Sequence, residues 1–138
     1  WQPSPEPAQR NRRSVFLFVK RNLCLPILET FDVPDTHDAC CVRSVTTTAP
    51  QALALLNDRW SLDRARAFAE RIMRDHPENP DAQIDAAYRL ALARAAEPEE
   101  RSAAQQFLTE QARATNATAA LADFCHMLLS ANEFIYVD

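Results

Sequence analysis

A mainly α fold, a compact array of about four to five helices, is what this 138-residue chain predicts. Two observations carry that expectation. From Ala49 to Ala131 the apolar residues return at i, i+3 and i+4, the period that gathers them on one face of a helix. Each periodic stretch opens on a proline or a small polar residue, the chemistry of a helix start. The connections between them are short, so neighbouring helices are expected to pack antiparallel or at a corner.

Taken in order, residues 1–13 form a lead-in and residues 14–138 a single helical domain. "WQPSPEPAQ" (1–9) is proline-rich and polar, the composition of a linker. "SVFLFV" (14–19) and "EFIYVD" (133–138) are short, apolar and β-prone. Because a lone strand leaves its backbone groups unpaired, these two ends are expected to join in one short two-stranded element. Residues 22–44 read as irregular, interrupted by Pro26 and Pro34, with one or two helical turns in "PILETF". In "TTTAPQALALLN" the spacing from Thr48 to Gln51 is that of a capping box. The periodic run that follows (Leu53, Leu56, Trp60, Ala65, Phe68, Ala69, Ile72, Met73) is expected to face inward, with Asn57 and Asp58 dividing it into two helices. A third helix starts at Asn79–Asp81 and presents Ile84, Ala87, Tyr88 and Ala91. A fourth starts at "EPEE", where Glu99 and Glu100 suit the positive end of the helix dipole. The last runs from about Thr118 to Ala131, with Leu121, Phe124, Cys125, Leu128 and Leu129 inward.

Composition removes several functions. The chain has no glycine, and the phosphate-cradling loops of P-loop and dinucleotide-binding proteins need backbone that only glycine tolerates. No stretch reaches the roughly 18–20 apolar residues of a membrane helix. The chain begins at Trp1 and is read as a piece of a longer polypeptide. Net charge is −4 and uneven, with Arg10, Arg12, Arg13, Lys20 and Arg21 near the start against Glu6. This basic arm (Arg12, Arg13, Lys20, Arg21) is expected to dock on acidic protein surface rather than on nucleic acid.

Candidate chemistry clusters in residues 24–43. His37, Cys40 and Cys41, with Cys24, carry zinc-ligand types, although paired C-x2-C spacing is missing and loop cysteines are the plainer account. Asp32, Asp35, His37 and Arg43 are candidates for acid–base chemistry. The plainer account has Asp32 and Asp35 capping turns around Pro34. Cys125-His126-Met127 holds haem-ligand types without the C-x-x-C-H attachment pattern, and Cys125 falls on the apolar stripe. "NAT" at Asn116 matches a glycosylation sequon, though capping the last helix explains it more simply. Trp60, at a helix junction, is expected to be buried.

"RRSVFLFVKRN", "FDVPD", "TTTAPQALALLN" and "ANEFIYVD", in this order and spacing, resemble the C-terminal region of the planctomycete PSD-type domain of unknown function (domain-of-unknown-function family 1553). The chain differs from the family pattern at Cys41 and at Ala93 of "LARAAEP", both places where the family often has glycine. The resemblance implies a setting downstream of planctomycete-type cytochrome-c-like modules. It implies an extracytoplasmic or envelope location, and haem c elsewhere in the parent chain with no cofactor in this piece. On that basis the expected function is a non-enzymatic structural or interaction module, the C-terminal piece of a large exported protein, whose partners are upstream domains of the same polypeptide. The alternative is part of an enzyme active site, polysaccharide-directed, built on the 29–43 loop.

Overall fold

The computed structural model describes residues 4–6, 9, 11, 14–18, 20, 25–34, 46 and 48–136. The chain forms two compact units, residues 1–47 and residues 48–138. Among the described residues there are seven helices, five of them long, and no sheet.

In the first unit a single 3-10 turn spans Ser14–Phe16, closed by the Leu17 N–H donating to the Ser14 carbonyl at 3.0 Å. The short helix α1 (Pro26–Thr30) has proline in its first turn, where no intrahelical N–H is lost. Its end is a Schellman closure. The Val33 N–H donates to the Leu28 carbonyl (3.0 Å) and the Asp32 N–H to the Glu29 carbonyl (3.3 Å). Asp32 occupies the left-handed position of that closure at φ 54°, where glycine is the usual choice.

The second unit holds α2 (Ala49–Asn57), α3 (Arg59–Asp75), α4 (Pro80–Leu92), α5 (Pro98–Ala114), α6 (Ala117–Leu129) and α7 (Asn132–Ile135). Their starts follow from side-chain chemistry. The Asp58 carboxylate accepts the Trp60 N–H (2.7 Å), so Asp58 ends α2 and caps α3. The Asn79 side-chain carbonyl accepts from Ala82 N–H (3.1 Å) ahead of Pro80. Asn116 accepts from Ala119 N–H (2.9 Å), the capping duty its sequence position suggested. α5 opens on the pair Glu97 and Glu100, with the Glu97 N–H donating to Glu100 Oε2 at 2.8 Å.

Helix α6 is the axis of the core. It buries Ala120, Leu121, Phe124, Cys125 and Leu128 against Ala65, Ala69 and Ile72 of α3, Ile84, Ala87 and Tyr88 of α4, and Ala104 of α5. α3 makes the most extensive contact with α6, and its alanines let the two backbones approach closely. Phe124 is fully enclosed, its ring tilted against Tyr88 (6.2 Å between centroids) and Phe107 (6.5 Å). Polar links tie the rim: Arg101 pairs with Asp85 between α5 and α4, and the Gln111 amide donates to Asp123 (2.7 Å) between α5 and α6.

Two expectations are corrected. Where strand was expected in the two end segments, the described parts hold helical turns, and Val19, Val137 and Asp138 lie outside the described residues. Ser14–Phe16 is a 3-10 turn, and Asn132–Ile135 is helical, with the Tyr136 N–H donating to the Asn132 carbonyl at 2.8 Å. A helical turn satisfies its own backbone and so removes the need for a strand partner. Nor do Leu53, Leu56 and Trp60 face the core: they are 59%, 53% and 56% exposed. The break at Asp58 resets the helical phase, and α2 turns its Gln51–Ala54–Leu55 line inward instead.

Candidate functional site

Gln51 is a buried polar side chain, 3% exposed, and its neighbours explain why it is tolerated. Its carbonyl oxygen accepts the Thr48 N–H at 2.9 Å, the reach-back half of the capping box. The same oxygen accepts the Tyr136 hydroxyl at 3.2 Å, across 85 positions of sequence. The start of α2 and the segment after α7 are thereby joined. At the other end of α2, the Leu55 carbonyl has no partner within its helix and accepts His126 Nε2 at 2.9 Å. Since a carbonyl only accepts, Nε2 carries the proton, and a side chain of α6 caps the C-terminus of α2.

A denser clasp sits where α4, α5 and α7 meet. Arg94 donates to both carboxylate oxygens of Glu100 (2.7 and 2.7 Å), to both of Glu133 (2.6 and 2.9 Å) and to the Ala95 carbonyl (3.1 Å). All five guanidinium N–H groups are used. The guanidinium carbon also lies 5.5 Å from the centre of the Tyr88 ring, a cation–π contact that joins the clasp to the core. Hydrogen bonds from Arg94, with help from the Glu97 N–H, hold the Glu100 carboxyl down at about 2 against some desolvation. Glu133 is lowered by the same guanidinium, and Arg94 is raised in turn. Burial, reinforced by the charge of Glu100, raises Tyr88. Both acids stay ionised at neutral pH and the arginine has no donor to spare. The trio is built to hold three elements together, not to move protons.

Ala93, the residue before this arginine, is left-handed at φ 57°. The turn that ends α4 and aims Arg94 needs a conformation glycine adopts freely, and here alanine supplies it at a cost of roughly 1 kcal/mol. Between Ala91–Ala93 and the side chains of Asn132, Glu133, Phe134 and Tyr136 lies an open depression of about 620 Å³. Its wall is the Glu133 side of the clasp.

The sequence candidates distribute as follows. Asp32 is seen, and its Oδ2 accepts both the Thr46 N–H (2.8 Å) and the Thr46 hydroxyl (2.7 Å), closing the loop between them. Asp35, His37, Cys40, Cys41 and Arg43 lie outside the described residues, as do Cys24, Arg12, Arg13 and Arg21. Lys20 is described and exposed. Among the described residues no three His, Cys, Asp or Glu side chains gather at metal-binding range. Cys125 is buried in the core, and desolvation pushes its thiol up to about 12. Sequence reading missed Arg94, Glu133 and the Gln51–Tyr136 bond. Their only local trace was the "LARAAEP" turn and the "ANEF" block, which are 39 positions apart at the Arg94–Glu133 contact.

Two blocks that carried the resemblance, "TTTAPQ" and "ANEFIY", thus supply bonds that close the second unit, together with Arg94 of the "LARAAEP" turn, where the chain departs from the family pattern. Residues 2–108 match the family described as PSD1, protein of unknown function (DUF1553). The chain belongs to the PSD1 family. The matched range runs through the first unit, α2, α3, α4 and much of α5, and the closing block at 131–138 lies beyond it. No curated protein and no solved structure matches this PSD1 chain.

Proposed function

We propose that this PSD1 chain is a non-enzymatic structural and interaction module. It would stand at the C-terminal end of a large exported bacterial protein that carries haem c in an upstream domain. The observation that carries the reading is the two-sidedness of α2. Its inner line, Gln51 with Ala54 and Leu55, packs into the unit, while Leu53 and Leu56 stand exposed on the opposite side. A helix apolar on both sides is the pattern of one enclosed within a larger assembly. The Arg94 clasp supports the same reading, because its close ionisable groups spend their bonding capacity on one another.

A polysaccharide-directed active site on the 29–43 loop is the competing reading. Asp32 argues for a structural role there, as the left-handed residue of a helix closure whose Oδ2 takes two bonds from Thr46. The basic arm is assigned to acidic surface on a neighbouring domain, so charge reversal at Arg12 and Arg13 should weaken docking in a salt-sensitive way.

The test is association between this chain and the separately produced upstream portion of its parent polypeptide, measured by titration calorimetry. Leu53→Glu with Leu56→Glu should weaken it at least tenfold with far-UV ellipticity unchanged. Wild-type affinity in that double variant would reject the reading. A Soret band in the full-length product is expected in addition.

A further inference from the structure

We propose that the face of α3 bearing Trp60, Arg64 and Arg71 is a docking stripe for an acidic, amphipathic helical segment of a partner protein. The inference rests on the interaction-module reading and gives it a second surface and a partner chemistry. At 100° per residue, positions 60, 64, 67 and 71 fall within about 60° of one another around the helix. Trp60 and Ala67 are exposed, and the Arg71 side chain is 56% exposed, its own pair with Asp75 stretched to 3.8 Å between open side chains. Such a pair contributes little and is easily exchanged for another.

Arg64 is the unusual member. Its Nε is shut off from solvent and, among the described residues, Arg64 has no acceptor and no ion pair, whereas Arg59, Arg66, Arg71 and Arg74 on the same helix each have one. The enclosed Nε is itself out of a partner's reach, but the terminal nitrogens of this half-buried guanidinium have no acceptor among the described residues, and a carboxylate brought by a partner would meet them with a planar, bidentate match. Charge agrees. α3 carries five arginines (Arg59, Arg64, Arg66, Arg71, Arg74) against Asp63, Glu70 and Asp75, yet residues 48–138 as a whole hold nine arginines against fourteen acids. A cationic line on an acidic body selects a partner with a few well-placed carboxylates and repels dense polyanions. Trp60 supplies the aromatic anchor typical of binding hot spots. Ala67, between the two arginines, leaves a low point into which a partner side chain can pack.

The experiment uses the intact 138-residue chain. The probe is a synthetic amphipathic helical peptide with leucines at i, i+3, i+4 and i+7 and flanking glutamates, with a second peptide in which every glutamate is glutamine. Anisotropy titrations should show the glutamate peptide binding at least tenfold tighter than its glutamine counterpart, with the difference shrinking at 500 mM salt. Trp60→Ala, Arg64→Gln and Arg71→Gln should each weaken binding severalfold, while Arg89→Gln, which removes the same charge from α4, leaves it within twofold. Arg71 is solvent-exposed, so its variant reports even where Arg64→Gln unfolds. Equal affinity for the two peptides overturns the proposal. So does preferential, Arg71-dependent binding of a single-stranded oligonucleotide or of anionic lipid vesicles. Loss of the peptide effect while the α2 double variant still disrupts docking to the upstream portion removes the stripe and leaves the module reading standing.

Discussion

Replacing Glu100 by glutamine tests whether the Arg94 clasp holds the second unit together. Glu100 takes two bonds from Arg94 and one from the Glu97 N–H, and its carboxyl sits at about 2 instead of 4.5. A carboxylate whose folded value is depressed contributes stability that is fully present above its unfolded value. That contribution is lost as pH falls toward the folded one. The window is therefore pH 4.5 down to about 2. Full linkage across it would be on the order of 3 kcal/mol. The Glu100 side chain is 31% exposed and Arg94 34%, so solvent screening reduces the expectation to about 1–2 kcal/mol. Glutamine keeps an oxygen for the Glu97 N–H, so the variant removes charge and leaves the helix cap. Urea unfolding followed by far-UV ellipticity should show E100Q less stable than wild type by about that amount at pH 7. The gap should close as the pH is lowered through the window and narrow in 1 M salt. A gap that is absent at pH 7, or that stays constant down to pH 2.5, would refute the clasp as an electrostatic support.

The left-handed residue after α4 gives the opposite sign: Ala93→Gly should stabilise the chain by about 1 kcal/mol, read as a higher urea midpoint with unchanged slope. Phe124→Ala empties the centre of the core and should cost about 3–5 kcal/mol in the same assay. Tyr136→Phe removes one bond to a buried acceptor that keeps the Thr48 N–H, so a loss of about 1 kcal/mol is expected from urea unfolding. The Cys125 thiol, buried and pushed up to about 12, should alkylate at pH 8 only as the unit unfolds, followed peptide by peptide in a mass spectrometer.

Helix existence and helix starts were legible in the sequence because both are local. Pro80 behind Asn79, Pro98 behind Glu97 and the Thr48–Gln51 spacing act within one turn, and the inward residues of α4 and α6 follow from period alone. The same locality explains the errors. Leu53 and Leu56 have core-facing composition, but which side of α2 turns inward depends on where Tyr136 and His126 arrive from 85 and 71 residues away. "EFIY" has strand composition, yet Arg94 pins Glu133 inside a helical turn. By itself, then, the sequence determined which of the long segments coil and where each begins, since those choices are made by neighbours along the chain. Only the tertiary structure decided which apolar faces are enclosed, which arginine is saturated and which is left wanting an acceptor. Those outcomes depend on groups far apart in the chain whose meeting no local pattern records.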